Sequence, residues 1–415
     1  MTTPVHPADP QTAMPFAHPM YVMVKPVGAA CNLHCDYCYY LEKSHLYRPD
    51  NTRDTAPAVL SDDLLERFVR DYIESQTTAE VLFAWHGGEP LLRPLSFYEK
   101  VVRLQHRYAG GRRIANSLQT NGTLIDDRWA AFFREHGWLI GVSIDGPEPL
   151  HDAYRHTRGG GPTWRSVMQG INRLNQWSVE WNALAVANRL NAGHPLEFYH
   201  FFKDIGCRYI QITPVVERLV QHADGRRLAS LGEKGEVAPF SVEPEQWGAF
   251  LCDIFDEWVH HDVGQYYVNL FDATLANWVG VSPGVCTMAS HCGHAGVMEH
   301  NGDVYACDHF VFPEYRLGNL RQQSLVEMMY GERQRQFGRM KMDDLSAQCR
   351  QCPWLKACHG ECPRNRFATT AAGEPGLNYL CAGYRHFFSH AAPYMDVMAR
   401  LLAQQRPPAD VMTMF

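Results

Sequence analysis

Three cysteines stand near the front of the chain as Cys31, Cys35 and Cys38, within Cys31-Asn32-Leu33-His34-Cys35-Asp36-Tyr37-Cys38. A cubic 4Fe–4S cluster takes four Cys thiolates. Three on one short loop leave an iron open, and an open iron can chelate a small molecule. Short Cys spacings also make zinc sites, but those are usually assembled from pairs. A triple with an aromatic residue, Tyr37, just before its third Cys is unusual for zinc.

A second set follows late in the chain: Cys286, Cys292, Cys307, Cys349, Cys352, Cys358, Cys362 and Cys381. Eight thiolates suffice for two four-Cys iron–sulfur clusters, or for two four-Cys zinc sites. Spacing alone does not say which cysteines share a set. Cys207 and Cys252 stand apart and read as buried apolar fillers. Thirteen cysteines is an odd number for a disulfide framework, and crowded reduced thiols point to metal clusters in the cytoplasm.

Further polar motifs fall where strands should end. Trp85-His86-Gly87-Gly88-Glu89-Pro90 follows the second apolar run; two glycines let the backbone approach a ligand closely, although a plain turn would also use them. Asn116 to Thr123 and Ser143-Ile144-Asp145-Gly146 bring hydroxyl, amide and carboxyl groups to the same rim. Arg155 can pair with a carboxylate, or be an ordinary solvated charge.

The elements that must position these residues alternate. Candidate strands are 21–27, Val81–Trp85, Ile114–Leu118, Leu139–Ile144, Glu180–Val186 and Tyr209–Pro214. Helical patterns lie between them at Ser61–Glu74, Ser96–Tyr108, Asp126–Glu135, Thr163–Trp177 and Pro195–Ile205. Six βα units predict an incomplete α/β barrel with ligands at the carboxyl ends of its strands. Val220–Glu243 reads as a loop or insertion, and Glu245–Val279 as helical, its aromatics packing a core. The resulting division is a flexible segment 1–19, a barrel 20–240, a helical linker 241–282, a Cys-rich domain 283–390, and a C-terminal helix and loosely held tail 391–415.

The totals fit a soluble enzyme of 415 residues, 46% hydrophobic and 20% charged. A net charge of −7 gives no reason to expect nucleic acid or an anionic membrane as partner. No run approaches a membrane span, and Met1–Met20 has neither the basic nor the apolar region of a secretion signal.

Residues 21–390 resemble a radical S-adenosylmethionine (SAM) enzyme with a C-terminal SPASM domain, and within that superfamily the anaerobic sulfatase-maturating enzymes. Lys25-Pro26, the Cys31–Tyr40 loop, Gly87-Gly88-Glu89-Pro90, Asn116–Leu124, Tyr305-Ala306-Cys307-Asp308, Arg316-Leu317-Gly318-Asn319 and the last cysteines carry the resemblance. It implies a partial (β/α)6 barrel, three 4Fe–4S clusters, and SAM on the cluster of Cys31, Cys35 and Cys38. Tyr37, Gly88, Ser143, Arg155 and Val216 fall where the family contacts SAM. Cys286, Cys292, Cys307 and Cys362 would hold one auxiliary cluster, and Cys349, Cys352, Cys358 and Cys381 the other. Asp308 matches the catalytic base, and Tyr40 an aromatic near the substrate. His86 stands where the family carries Gln, facing the substrate, which leaves the target open.

The implied reaction converts a Cys or Ser of a peptide or unfolded sulfatase to Cα-formylglycine, with an external flavodoxin- or ferredoxin-type reductant. A SPASM enzyme that crosslinks or epimerises a precursor peptide would share every cluster ligand. A cluster-bearing electron carrier or zinc-stapled adaptor would need neither the open three-Cys loop nor the Gly-Gly rim.

Overall fold

The computed structural model describes residues 19–40, 43, 46, 59–222, 225–229 and 232–414. The expected N-terminal segment 1–19 lies, apart from Pro19, outside them. All six expected barrel strands form: β1 (Tyr21–Val24), β2 (Glu80–Trp85), β3 (Arg113–Thr120), β4 (Leu139–Ser143), β5 (Trp181–Ala187) and β6 (Tyr209–Pro214). They pair in parallel in that order. The helices between them are α1 (Asp62–Glu74), α2 (Leu95–Tyr108), α3 (Asp127–Glu135), α4 (Trp164–Gln176) and α5 (Pro195–Asp204).

Local sequence sets these limits. Ser61 caps α1, its hydroxyl accepting from the Leu64 N–H, with Asp62 and Asp63 in the positive first turn. Asp126 caps α3 through the Trp129 N–H at 2.9 Å. Phe83, Ala84 and Trp85 at the end of β2 are all buried, as a parallel strand covered on both faces requires.

Beyond β6 the structure departs from the sequence reading. Residues 220–243 contribute to a small antiparallel sheet of Arg218–His222, Gly225–Leu228 and Glu236–Val237. The stretch expected to be helical over 245–279 holds two helices, α6 (Pro244–His261) and α7 (Asn269–Trp278). Between them the chain turns at Gly264, in the left-handed region, and Tyr267–Val268 (β7) pairs with β6 at the sheet edge.

The Cys-rich part continues the barrel sheet. β8 (Ala295–Met298) pairs in parallel with β1, and β9 (Asp303–Tyr305) and β10 (Arg316–Asn319) add antiparallel beyond it. The sheet runs β7-β6-β5-β4-β3-β2-β1-β8-β9-β10.

The last long helix, α8 (Cys381–Ala403), begins at a cysteine and contains the boundary read at 390/391. It crosses α6 where two glycines meet: a Cβ on Gly383 would lie 2.1 Å from the Pro244 carbonyl oxygen. The tail after Arg406 is held rather than loose, with a 3-10 turn over Pro408–Thr413 and Val411 buried.

Candidate active site

The first cysteine loop is fastened to the carboxyl rim of the sheet from several sides. The Gly88 N–H donates to the Gly28 carbonyl and the Glu89 N–H to the Ala30 carbonyl, both at 2.8 Å. A Cβ on Gly88 would stand 2.1 Å from the Ala30 oxygen, so the contact requires glycine. Glu89 is fully buried and accepts from the Leu91 N–H (2.9 Å), the Thr120 hydroxyl (2.8 Å) and the Asn121 N–H (2.8 Å). Burial outweighs those bonds and pushes its pKa up to about 7. Asn121 then donates to Asn32 Oδ1 (2.8 Å) and Cys31 Sγ (3.8 Å). The motif after β2 and the motif after β3 thus both grip the Cys loop.

None of the thirteen cysteines is in a disulfide. Burial pushes Cys31 up to about 11 and Cys35 up to about 12, and the neighbouring thiols of the loop add to both shifts. Three thiolates packed together need cationic neutralisation, which an iron–sulfur cluster provides.

The later cysteines sort into two sets in space. Burial raises Cys307 first, and then Cys286, Cys362 and Cys292 raise it further. Cys292, Cys307 and Cys362 share one apolar shell with Phe310 and Phe337. Cys349, Cys352, Cys358 and Cys381 line a cavity of about 150 Å³. A space of that size admits a polyatomic group. Among the described residues, no three Cys, His, Asp or Glu side chains converge as the ligands of one ion must. Sorted by proximity, the two groups of thiols interleave along the chain.

A buried ion pair lies directly against the Cys loop. Arg155 Nε and Nη2 donate to the two Asp145 carboxylate oxygens at 2.7 and 3.1 Å. Asp145 also accepts from the Val186 N–H (3.0 Å) and from the Tyr37 hydroxyl. Burial opposes its charge, but Arg155 holds the carboxyl below the ordinary range. Arg155 thus has a resident carboxylate partner. Its backbone pairs with Cys35, and its guanidinium lies 5.5 Å from the centre of the Tyr37 ring. Ser143 ends β4 at the carboxyl rim, and Val216 lies buried just past β6.

A dense polar cluster gathers around Lys25. Lys25, with no exposed surface, follows β1; its Nζ lies 2.7 Å from Asp308 Oδ1 and 2.5 Å from His86 Nδ1. The same ammonium sits 4.3 Å over the Tyr40 ring. Tyr40 donates to Glu299, which follows β8 and is fully buried. Tyr39 donates to Asp308 Oδ2 at 2.6 Å. Asp308 Oδ1 is ion-paired with Lys25 and, as a carboxylate oxygen, keeps a second lone pair for a further donor. Burial opposes the charge on Asp308, and the Lys25 ammonium overcomes it, holding the carboxyl well below the usual range. His86 is pushed down to about 3 by burial and by Lys25, and is therefore neutral.

The residues singled out from sequence as Asp308, His86 and Tyr40 do meet. Sequence reasoning missed Tyr39 and Arg364, and noted Lys25 only within the strand 21–27 and the Lys25-Pro26 stretch of the resemblance, with no role of its own. Lys25 could have been suspected as a charge set directly after an apolar run; nothing local marks Arg364.

Comparisons with known proteins agree with this geometry. Residues 26–202 match the Radical SAM superfamily model and residues 292–353 the iron-sulfur cluster-binding (SPASM) domain. The chain is 62% identical to a serine-type anaerobic sulfatase-maturating enzyme of Bacteroides thetaiotaomicron, over 97% of this chain and 96% of that protein. It is 31% identical to a cysteine-type enzyme of Clostridium perfringens, over 90% and 97% respectively. The solved structure described as native anSMEcpe with bound AdoMet and Cp18Cys peptide matches with a TM-score of 0.79 at 29% identity, covering 92% of this chain and 99% of that one. Thiol sets, glycine rim and overall likeness agree: the chain belongs to the anaerobic sulfatase-maturating enzymes of the radical SAM superfamily.

Proposed function

We propose that this protein oxidises a seryl residue of a peptide or unfolded sulfatase to Cα-formylglycine, with SAM and 4Fe–4S clusters as cofactors. The Asp308 constellation carries the reading: a buried carboxylate held ionised, with one oxygen fixed by Tyr39 and the other paired with Lys25. The choice of serine rests on the 62% identical serine-type relative.

Cys31, Cys35 and Cys38 would hold the SAM-binding cluster. Cys286, Cys292, Cys307 and Cys362 would hold one auxiliary cluster, and Cys349, Cys352, Cys358 and Cys381 the other. The barrel (20–240) then presents SAM, and the Cys-rich part (283–390) receives the electron. When loaded, these groups supply a 5′-deoxyadenosyl radical that takes the substrate β-hydrogen, and an acceptor for the second electron. The chain's own residues do the rest. The Gly88 backbone, Ser143 and Val216 shape the SAM site, and Asp145 with Arg155 holds Tyr37 in it. Tyr40 and His86 face the substrate side chain, and Asp308 takes the hydroxyl proton. One hydrogen atom, one proton and one electron leave, so a hydroxymethyl group becomes an aldehyde. Lys25 keeps Asp308 ionised before the proton arrives.

The electron for SAM cleavage comes from an external one-electron donor of flavodoxin or ferredoxin type. We place the enzyme in the cytoplasm, where thiols stay reduced. Among the described residues, no helix is long and apolar enough to cross a membrane.

Replacing Asp308 with Asn tests the assignment. The reconstituted variant should still form 5′-deoxyadenosine from SAM while its formylglycine yield on a seryl sulfatase-motif peptide collapses, read by mass spectrometry as loss of two hydrogens. An unchanged yield removes Asp308 from the mechanism, and a crosslinked product would replace the reaction itself.

A further inference from the structure

Arg364 is neither a thiol ligand nor part of the SAM rim, yet three separate parts of the chain meet on it. Its Nη2 donates to Glu217 Oε2 at 2.6 Å, one residue beyond Val216. Glu217 is itself pinned: its N–H donates to the Ser241 hydroxyl (2.9 Å), and its carbonyl accepts from the Ala238 N–H (2.9 Å) and the Ser241 hydroxyl (3.1 Å). The guanidinium also lies over the Tyr39 ring, 4.9 Å from its centre. Tyr39 meets Tyr40 edge-on, with centroids 6.0 Å apart, and tilts against His309 at 4.9 Å. Its hydroxyl donates to Asp308 Oδ2 at 2.6 Å. Arg364 is two residues past Cys362, so the loop carrying that thiol also places the cation.

A guanidinium can hold a carboxylate and stack on a ring at once, because it is flat and its donors lie in its plane. An ammonium can do the first but offers no flat face. With Tyr40 and His309 as two walls, Arg364 is the third that stops the Tyr39 ring from turning. We propose that Arg364 is a positioning residue for the proton transfer to Asp308: it clamps Tyr39, Tyr39 fixes Asp308 Oδ2, and Oδ1 is thereby presented to the substrate hydroxyl. The inference rests on Asp308 being the base. It makes the base competent only once barrel, front Cys loop and late Cys-rich loop are docked together.

A double-mutant cycle on the anaerobically reconstituted full chain tests it, with dithionite as reductant and a seryl sulfatase-motif peptide as substrate. The readout is formylglycine formed per 5′-deoxyadenosine, which a general loss of folded enzyme does not move. Tyr39→Phe should lower the ratio about ten- to hundredfold, as expected for one lost hydrogen bond to a charged group. Arg364→Lys, which keeps a cation for Glu217, should lower it several-fold, and Arg364→Met further. In the Tyr39→Phe background neither Arg364 change should add more than about twofold, because the clamp has nothing left to hold. Effects that multiply, or a wild-type ratio in Arg364→Lys, overturn the proposal. If Arg364→Met fails to load iron, the cycle with Arg364→Lys decides. If Asp308→Asn keeps a normal yield, the base assignment falls and this inference with it. If Asp308→Asn collapses the yield while the cycle multiplies, this inference alone falls.

Discussion

The loop of Cys31, Cys35 and Cys38 and the stretch from Cys286 to Cys381 both gather thiols, by opposite means. In the first, the chain brings the ligands together within one short loop, and the fold only steadies it. Gly88, Glu89 and Asn121 hold that loop from two neighbouring strand ends. In the second, the chain by itself gathers no complete set. Cys362 meets Cys286, Cys292 and Cys307, while Cys381, at the start of α8, joins Cys349, Cys352 and Cys358. Local spacing therefore suffices for a site that must leave a position open, whereas closed sets can be drawn from distant loops. Asp308 sits at the seam, next to Cys307 in sequence and against Lys25 of the barrel in space.

The sharpest way to break this contrast is to remove one thiol from each region. Cys35→Ala should abolish 5′-deoxyadenosine formation outright, because the radical has no other source. Cys358→Ala should leave measurable SAM cleavage while formylglycine is lost. Abolished SAM cleavage in Cys358→Ala would show that the two regions do not act separately.

A smaller effect should come from the glycines that dock each region. Gly88→Ala drives a Cβ to 2.1 Å from the Ala30 oxygen, and Gly383→Ala drives one to the same distance from the Pro244 oxygen. Backbone cannot yield cheaply at either place. SAM affinity, measured by equilibrium binding to the reconstituted proteins, should fall about tenfold or more in Gly88→Ala. Gly383→Ala should keep its SAM affinity and lose iron, by colorimetric assay, from the set that includes Cys381. Equal losses of SAM affinity in both variants would refute the division.

The smallest effect concerns His86. The folded protein holds its pKa near 3, while an unfolded His titrates near 6.5. As pH falls through 6.5 toward 3, the unfolded chain gains a proton that the folded one does not, so stability declines across that window. His86→Gln lacks this term. Its thermal midpoint should fall less than that of the wild type between about pH 8 and pH 5, by the equivalent of about 1 kcal/mol for a partly exposed site. Identical pH dependence would mean that His86 is solvated rather than held by Lys25.

Much of the barrel was legible because its strands are short apolar runs punctuated by glycine and polar residues, and its helices carry local caps such as Ser61 and Asp126. The helical reading of 245–279 holds for most of that stretch and misses only its break, because periodicity does not mark the turn at Gly264 or the pair Tyr267–Val268 joining a sheet edge. The Cys-rich part looked separate because nothing in Ala295–Met298 says it will pair with Tyr21–Val24. His86, Tyr40 and Asp308 were named from resemblance. The contacts of Lys25 with all three and the stack of Arg364 on Tyr39 were not, since they span residues remote in sequence.

By itself the sequence determined the open three-thiol loop, the glycine rim and the alternation of strand and helix, all set by neighbours a few residues apart. Only the tertiary structure decided the interleaving of the later thiols, the extension of the sheet by β8 to β10, and the environment of Asp308. Those depend on burial and on charges brought together across the chain, and burial is a property of the folded whole.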